Sequence, residues 1–286
     1  MTARLAILNS MAGAELAAAL DRHVALGVRV LDLKDALFGK GILDLDDAEA
    51  EQVSRMAGER GLSVHCLSTG LFHEDVGVGE EVFRRQHLDL VTRAIEIGRV
   101  LRPRHIRLLT ARVADRHRVC DAVEYLQSRA PWVFDLYREA VDRISRAGFV
   151  ATIENEVGDA ILGRPEEVMR FYEALDRPSA RFTWDVQNMW QMGTFPTLQA
   201  YRLLRPHIGM LHVKGGRAEE PGGRLRWASS LRDASWPVVP IVSEALRDGA
   251  TDVVCLNPSH GERSPRWACD WTDDLSYLRE AVPGLE

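Results

Sequence analysis

The stretch PWVFDLYREAVDRISRAGFVATIENE, residues 131–156, decides the fold. Its first two-thirds carry apolar residues at spacings of three and four, the period of an amphipathic helix. Gly148 follows, which suits a left-handed cap where a helix must stop and turn. A short apolar run then predicts a buried strand over 150–154, and that strand ends on Glu154, Asn155 and Glu156. The unit therefore reads helix, glycine, buried strand, polar strand end.

The same rhythm fills the rest of the chain. Short apolar runs predict further strands at 5–8, 28–33, 63–67, 106–109, 182–185, 210–213 and 253–256. Between them lie helical patterns such as AELAAALDRHVALG, DDAEAEQVSRMAGERG, VFRRQHLDLVTRAIEIG and RPEEVMRFYEAL. Gly27, Gly61 and Gly249 close or follow helices as Gly148 does. Eight alternating strand–helix units imply an α/β protein of one domain over 1–286, a (β/α)8 TIM barrel. The length of 286 residues suits a barrel of roughly 250 residues with modest loops. An open doubly wound sheet is the alternative, but it would bring a glycine-rich phosphate turn after the first strand, and SMAGAE is not one.

Composition narrows the function classes. With 46% hydrophobic residues the chain can bury a sizeable core, and a net charge of −6 with a pI near 5.9 speaks against nucleic-acid and membrane-surface partners. Cys66, Cys120, Cys255 and Cys269 form no CxxC pair, as expected of reduced thiols. The opening MTARLAILNS is too short for a signal peptide, and no stretch nears the roughly 18 apolar residues of a membrane span. The expected location is cytoplasmic, and a homo-oligomer stays open. Only three of the 36 basic residues are lysines, Lys34, Lys40 and Lys214. That scarcity hints that a compact, deprotonatable charge matters at some of them.

In a barrel of this kind the chemistry sits at the carboxyl ends of the strands. Those ends carry Asp32 and Lys34 on the second strand, His65, Ser68 and Thr69 on the third, and Glu154, Asn155 and Glu156 on the fifth. Asp185 and Asn188 follow on the sixth, His212 and Lys214 on the seventh, and Asn257, His260 and Glu262 on the eighth. Glu154, Asp185 and His212 come from three neighbouring strands. Two carboxylates and an imidazole suit a divalent metal of the Mn, Mg, Co or Zn kind.

The order of an EN pair (Glu154, Asn155), then Asp185 with Asn188 three later, then HVK (212–214), then LNPSHGE on the last strand, resembles the xylose isomerase-like TIM-barrel superfamily. This superfamily of sugar-phosphate isomerases and epimerases also contains dehydratases and type IV AP endonucleases. The resemblance runs over essentially the whole chain. It implies a divalent metal held by Glu, Asp, His and Glu from strands five to eight, which fall here on Glu154, Asp185, His212 and Asn257. It further implies a metal-assisted isomerase, epimerase or dehydratase acting on a small sugar-like hydroxy-carbonyl compound. Glu154, Lys214 and His65 would then be the catalytic groups, and Lys34, Glu156, Asn188, His260 and Trp190 the substrate-binding wall. Trp184 and Phe72 could also pack against a sugar ring, although the core is the natural place for Trp184.

Two departures bear on that expectation. Asn257 stands where the family has its fourth ligand, a glutamate that also serves as a second base, and HVKGG stands where many relatives have HVKD. Glu244 could be proposed as the missing carboxylate, but it lies in an amphipathic run read as a solvated helix. One-sided proton chemistry by Glu154 or Lys214, replacement by His260 or Glu262, and a degraded metal site all stay open. A degraded site would make the chain a metabolite-binding or partner-subunit barrel. The AP endonuclease activity demands a histidine-rich trinuclear zinc site and a basic face, which this acidic chain lacks.

Overall fold

The computed structural model describes residues 3–221, 223–224, 231–257 and 271–286. Eight parallel strands close in sequence order into a barrel: β1 (Arg4–Leu8), β2 (Val30–Leu33), β3 (Ser63–Ser68), β4 (His105–Leu109), β5 (Val150–Glu154), β6 (Arg181–Asp185), β7 (Ile208–Val213) and β8 (Val253–Leu256). Closure is made by β1 against β8, with Arg4 beside Val253 and Ile7 beside Leu256. The open-sheet alternative is thereby excluded.

Alternation along each strand sorts side chains between two cores. Leu31, Leu33, Leu67, Ile106, Leu108, Ile153, Phe182, Trp184 and Leu211 pack outward against the helices. Inside the barrel a small separate cluster is formed by Ala6, Val30, Cys66, Met210, Val253 and Cys255. The inward positions nearer the carboxyl ends are polar, and this is what makes the barrel mouth a site rather than a continuation of the core.

The helix Trp132–Arg146 shows how an outer element fixes that mouth. It buries Val133, Phe134, Leu136, Tyr137, Ala140, Val141 and Ile144 on one face. The Tyr137 hydroxyl donates to the Leu109 carbonyl (2.9 Å) and accepts from the Ala111 amide (2.8 Å), tying down the chain where it leaves β4. The helix stops at Gly148, φ +90°, a conformation in which a Cβ would be strained. Gly27, Gly61 and Gly249 also adopt positive φ, as their positions after helices predict.

Between β2 and β3 the register slips: Leu31 pairs with Val64 but Asp32 pairs with Cys66. His65 is the extra residue of this bulge. Glu244 lies on the helix Val238–Arg247, as expected, but it is not solvated. It is only 9% exposed and takes two hydrogen bonds from Arg202 (2.7 and 3.2 Å), because Arg202 from the preceding helix covers it.

Candidate active site at the barrel mouth

A polar pocket of about 190 Å³ opens at the carboxyl ends of the strands, and Lys34, Arg107, Glu154, Glu156, His212, Lys214 and Asn257 are among its lining residues. Glu154 ends β5, so its position follows from strand length and alternation alone. Both of its carboxylate oxygens are engaged. Oε2 accepts from Arg107 Nη1 at 2.5 Å, and Oε1 accepts from His212 Nδ1 at 2.8 Å. Arg107 also donates through Nη2 to the Thr69 carbonyl (2.9 Å).

Asp185 ends β6 and caps the short helix Val186–Gln191, its Oδ1 accepting from the Asn188 amide at 2.9 Å. Its Oδ2 is in direct ion-pair contact with Lys214 Nζ. Asn155 holds the backbone of Asp185 through a reciprocal pair of 2.9 Å bonds. Asn188 lies behind the pocket wall and fixes what lines it. Its Nδ2 donates to Glu156 Oε1 (3.1 Å), and its Oδ1 accepts from Lys214 Nζ (3.2 Å).

His212 is the hinge of the cluster. Its Nε2 faces Asp32 Oδ2 across 3.2 Å. Asp32 in turn accepts from Ser68 Oγ at 2.5 Å and from the Cys255 thiol at 3.7 Å. Ligand atoms of Glu154, Asp185 and His212 all lie within 4.8 Å of one another, and the same holds for Asp32, His212 and Cys255. Asn257 ends its stretch with Oδ1 accepting from the Leu8 amide at 3.3 Å.

These contacts balance charge: Asp32, Glu154 and Asp185 face Arg107, Lys214 and His212. Burial alone would raise the Glu154 carboxyl, but Arg107 and His212 outweigh it and hold it well below the usual carboxylate range. For Asp185 burial prevails over Lys214, and its affinity for a proton is raised. Burial works against the charged imidazole of His212, yet Glu154 and Asp32 push it up to about 9. Burial keeps the Cys66 and Cys255 thiols neutral, their acidity pushed far down.

A divalent cation fits this donor set. Glu154, Asp185 and His212 bring buried ligand atoms within 4.8 Å of one another, and these are the oxygen and nitrogen donors that hard and borderline cations prefer.

The structure places three of the expected site residues outside this pocket: Asn188 behind its wall, and His65 and Trp190 farther away. His65 does not reach the site. It sits three residues before the end of β3, edge-on to His105 at the start of β4 with ring centroids 4.7 Å apart. Of the charges acting on it, Asp252, Arg4 and Arg104 come from the amino-terminal ends of strands and Asp32 alone from the site side, so it belongs towards the opposite end of the barrel. Trp190 is outside the polar pocket as well. Two residues after Asn188 on a helical turn, it packs on Phe195 (5.1 Å) and Trp236 (5.3 Å) and lines a separate cavity with Arg217 and Ser235, between the segments that follow β6 and β7. Trp184 and Phe72 are fully buried in the core. His260 and Glu262 lie outside the described residues.

Two polar pocket residues were not singled out from sequence, Arg107 and Gln191. Arg107 had a legible signal: an arginine inside the apolar run HIRLL, on the inward side of a strand buried on both faces.

Known structures share this architecture. A xylose isomerase-like TIM barrel protein from Mycobacterium smegmatis in complex with magnesium superposes with a TM-score of 0.70 at 16% identity, covering 98% of this chain and 96% of that one. A 3-keto-D-glucoside 4-epimerase from E. coli gives 0.71 at 15% identity over 96% and 98%. A probable 3-DHS dehydratase from Bacillus anthracis gives 0.68 at 12% over 98% of both chains. At such identities these likenesses speak for the fold alone. Among curated proteins none matches the chain. The sequence profile described as Xylose isomerase-like TIM barrel, however, matches residues 19–280. With that match spanning nearly all of the closed barrel and its polar mouth, the chain belongs to the xylose isomerase-like TIM-barrel family.

Proposed function

We propose that this barrel is a metal-assisted isomerase, epimerase or dehydratase acting on a small hydroxy-carbonyl compound. The observation that carries the reading is the convergence of Glu154, Asp185 and His212 under the pocket, with buried ligand atoms within 4.8 Å of one another. The pocket volume of about 190 Å³ lies below the roughly 300–1,000 Å³ of sites for drug-sized ligands, so it suits a molecule of a few carbons. Glu154, Asp185 and His212 would hold a divalent ion, which when bound supplies Lewis-acid polarisation of a carbonyl.

The chain's own residues supply the rest. Lys214 Nζ, positioned between Asp185 and Asn188, donates to the oxygen on which negative charge develops. Glu154, with both oxygens engaged, is a ligand rather than a base. Glu156 is the better proton acceptor: it lines the pocket, Asn188 and the Val157 amide hold its Oε1 (3.1 and 2.9 Å), and its Oε2 takes no hydrogen bond among the described residues. Lys34 at the mouth holds a polar end of the substrate. The activities named for the epimerase and dehydratase of the same fold support this reaction class.

Metal analysis together with solvent deuterium exchange into a panel of small ketoses, aldoses and hydroxy acids tests the reading. Asp185→Ala should lose most bound Mn²⁺ and nearly all exchange. Full exchange activity in chelator-treated wild type would sink it. A second reading, a metabolite-binding barrel without turnover, draws on the charge balance reached by Arg107, Lys214 and His212 alone. It expects ligand binding with no exchange in any substrate.

A further inference from the structure

We propose that Gln191 binds the substrate of this pocket as a fixed hydrogen-bond acceptor that reads a hydroxyl group. The ligand then presents an alcohol, not a carboxylate or a carbonyl, to the wall that follows β6. This rests on the hydroxy-carbonyl reading above and deepens it by naming the group recognised on one side. The acceptor is fixed by a relay of amides whose direction one carbonyl sets. The backbone carbonyl of Gly215, just after β7, can only accept, so the fully buried Gln187 must turn its Nε2 to it (2.5 Å). That leaves Gln187 Oε1 on the other side of the amide, and an amide oxygen also can only accept. Gln191, four residues on along the helix Val186–Gln191, therefore presents its own Nε2 to Gln187 Oε1, at 3.3 Å.

The oxygen of Gln191 is thus the end of its amide that points away from Gln187. Gln191 is half-buried and lines the pocket, and its Oε1 takes no hydrogen bond among the described residues. Reversing the relay would set the Gln187 oxygen against the Gly215 carbonyl oxygen, two buried acceptors with no proton between them, so the Gln191 amide does not turn over as a solvated one does. Asn188, one turn earlier on the same helix, holds Oε1 of Glu156 and leaves Oε2 as a second acceptor beside it. Lys34 follows β2, which lies across the closed ring from β6, and it brings a donor to the far side of the pocket. The pocket is therefore polarised, with acceptors after β5 and β6 and a donor after β2. A hydroxyl facing Gln191 satisfies its oxygen, a methylene leaves that oxygen unpaired, and a carboxylate or carbonyl sets oxygen against oxygen.

Calorimetric binding of erythrulose, a small ketose, and of each of its monodeoxy analogues to the Mn²⁺-loaded full chain tests this. Removal of one particular hydroxyl should cost the wild type about tenfold or more in affinity. In Gln191→Met, which keeps the length of the side chain and loses the acceptor, that cost should shrink to about twofold or less, while the costs of removing the other hydroxyls stay as in wild type. Gln187→Met keeps Gln191 but frees its amide to rotate, and it should shrink the same cost. The relay is also read without any ligand, by side-chain amide NMR of the metal-free protein. The Gln191 Nε2 resonances, assigned by their loss in Gln191→Met, should move in Gln187→Met to the positions of a freely rotating glutamine. Resonances that Gln187→Met leaves in place overturn the relay. Hydroxyl costs that are the same in wild type and Gln191→Met overturn the proposal while leaving the hydroxy-carbonyl reading intact. Failure of erythrulose and all its analogues to bind the Mn²⁺-loaded protein overturns both.

Discussion

Arg107 and Glu154 set the chemistry of this mouth more than any other pair. A guanidinium delivered from β4 onto the carboxylate that ends β5 turns a potential base into a fixed, ionised carboxylate. The proposed division of labour between Glu154 and Glu156 can be separated by experiment. Glu154→Gln leaves Arg107 buried without its counter-charge, which should cost about 3–5 kcal/mol of stability and weaken metal binding. Glu156→Gln touches only a half-buried residue. It should keep stability and Mn²⁺ affinity near wild type while lowering proton exchange by about 10²-fold or more. Denaturant titration, metal titration and deuterium exchange on the two variants check the split. Unimpaired exchange in Glu156→Gln would return the proton to Glu154 or Lys214.

At the scale of elements, the site depends on where strands end and on what anchors their ends. Asp185 combines the end of β6 with the cap of the next helix, so one residue both terminates a strand and orients Asn188. Tyr137 does comparable work from outside the barrel, holding Leu109 and Ala111 just beyond Arg107. Tyr137→Phe leaves a buried carbonyl and a buried amide without partners, for an expected loss of about 1–3 kcal/mol. The urea midpoint should fall with an unchanged slope, and Mn²⁺ affinity should stay close to wild type because no pocket residue is removed. A stability equal to wild type would mean that water replaces the hydroxyl at both groups.

For the whole molecule, buried histidines at the two ends of the barrel act in opposite directions with pH. His65 and His105 are kept neutral by burial, with pKa values lowered to about 4 and about 3. Below their ordinary value near 6.5 the unfolded chain takes protons that the folded chain refuses. Stability is therefore lost as pH falls from about 6.5 towards 4, by up to roughly 1.4 kcal/mol per unit for each. His212 in the metal-free protein has the reverse sign. Its pKa is raised to about 9, so the stability it adds is complete below about 6.5 and is lost as pH rises through 9. Calorimetry of the chelator-treated protein from pH 4 to 9.5 should show a Tm maximum near neutral pH. His105→Asn should flatten only the acid limb, and a Tm insensitive to pH over that range would contradict both assignments.

The repeated unit of helix, glycine and buried strand was readable without coordinates, because a 3.6-residue period, a left-handed cap and a short apolar run are local properties of the chain. So were Glu154, Asp185, His212 and Asn257 as strand-end residues, since alternation and strand length place them at one end of any parallel barrel. What lay beyond local reading was which polar residues meet. His65 looked equivalent to His212 in a strand, but a one-residue bulge against β2 and its place early in β3 send it to the far end. Trp190 was separated from Asn188 by the turn of a six-residue helix. Arg107 became meaningful only when closure of the barrel set β4 beside β5, with Leu109 and Glu154 in register. The sequence by itself determined the barrel and the end at which its chemistry sits. Only the tertiary structure decided the charge at that end, because a buried ion pair is made between strands whose partners no local pattern announces.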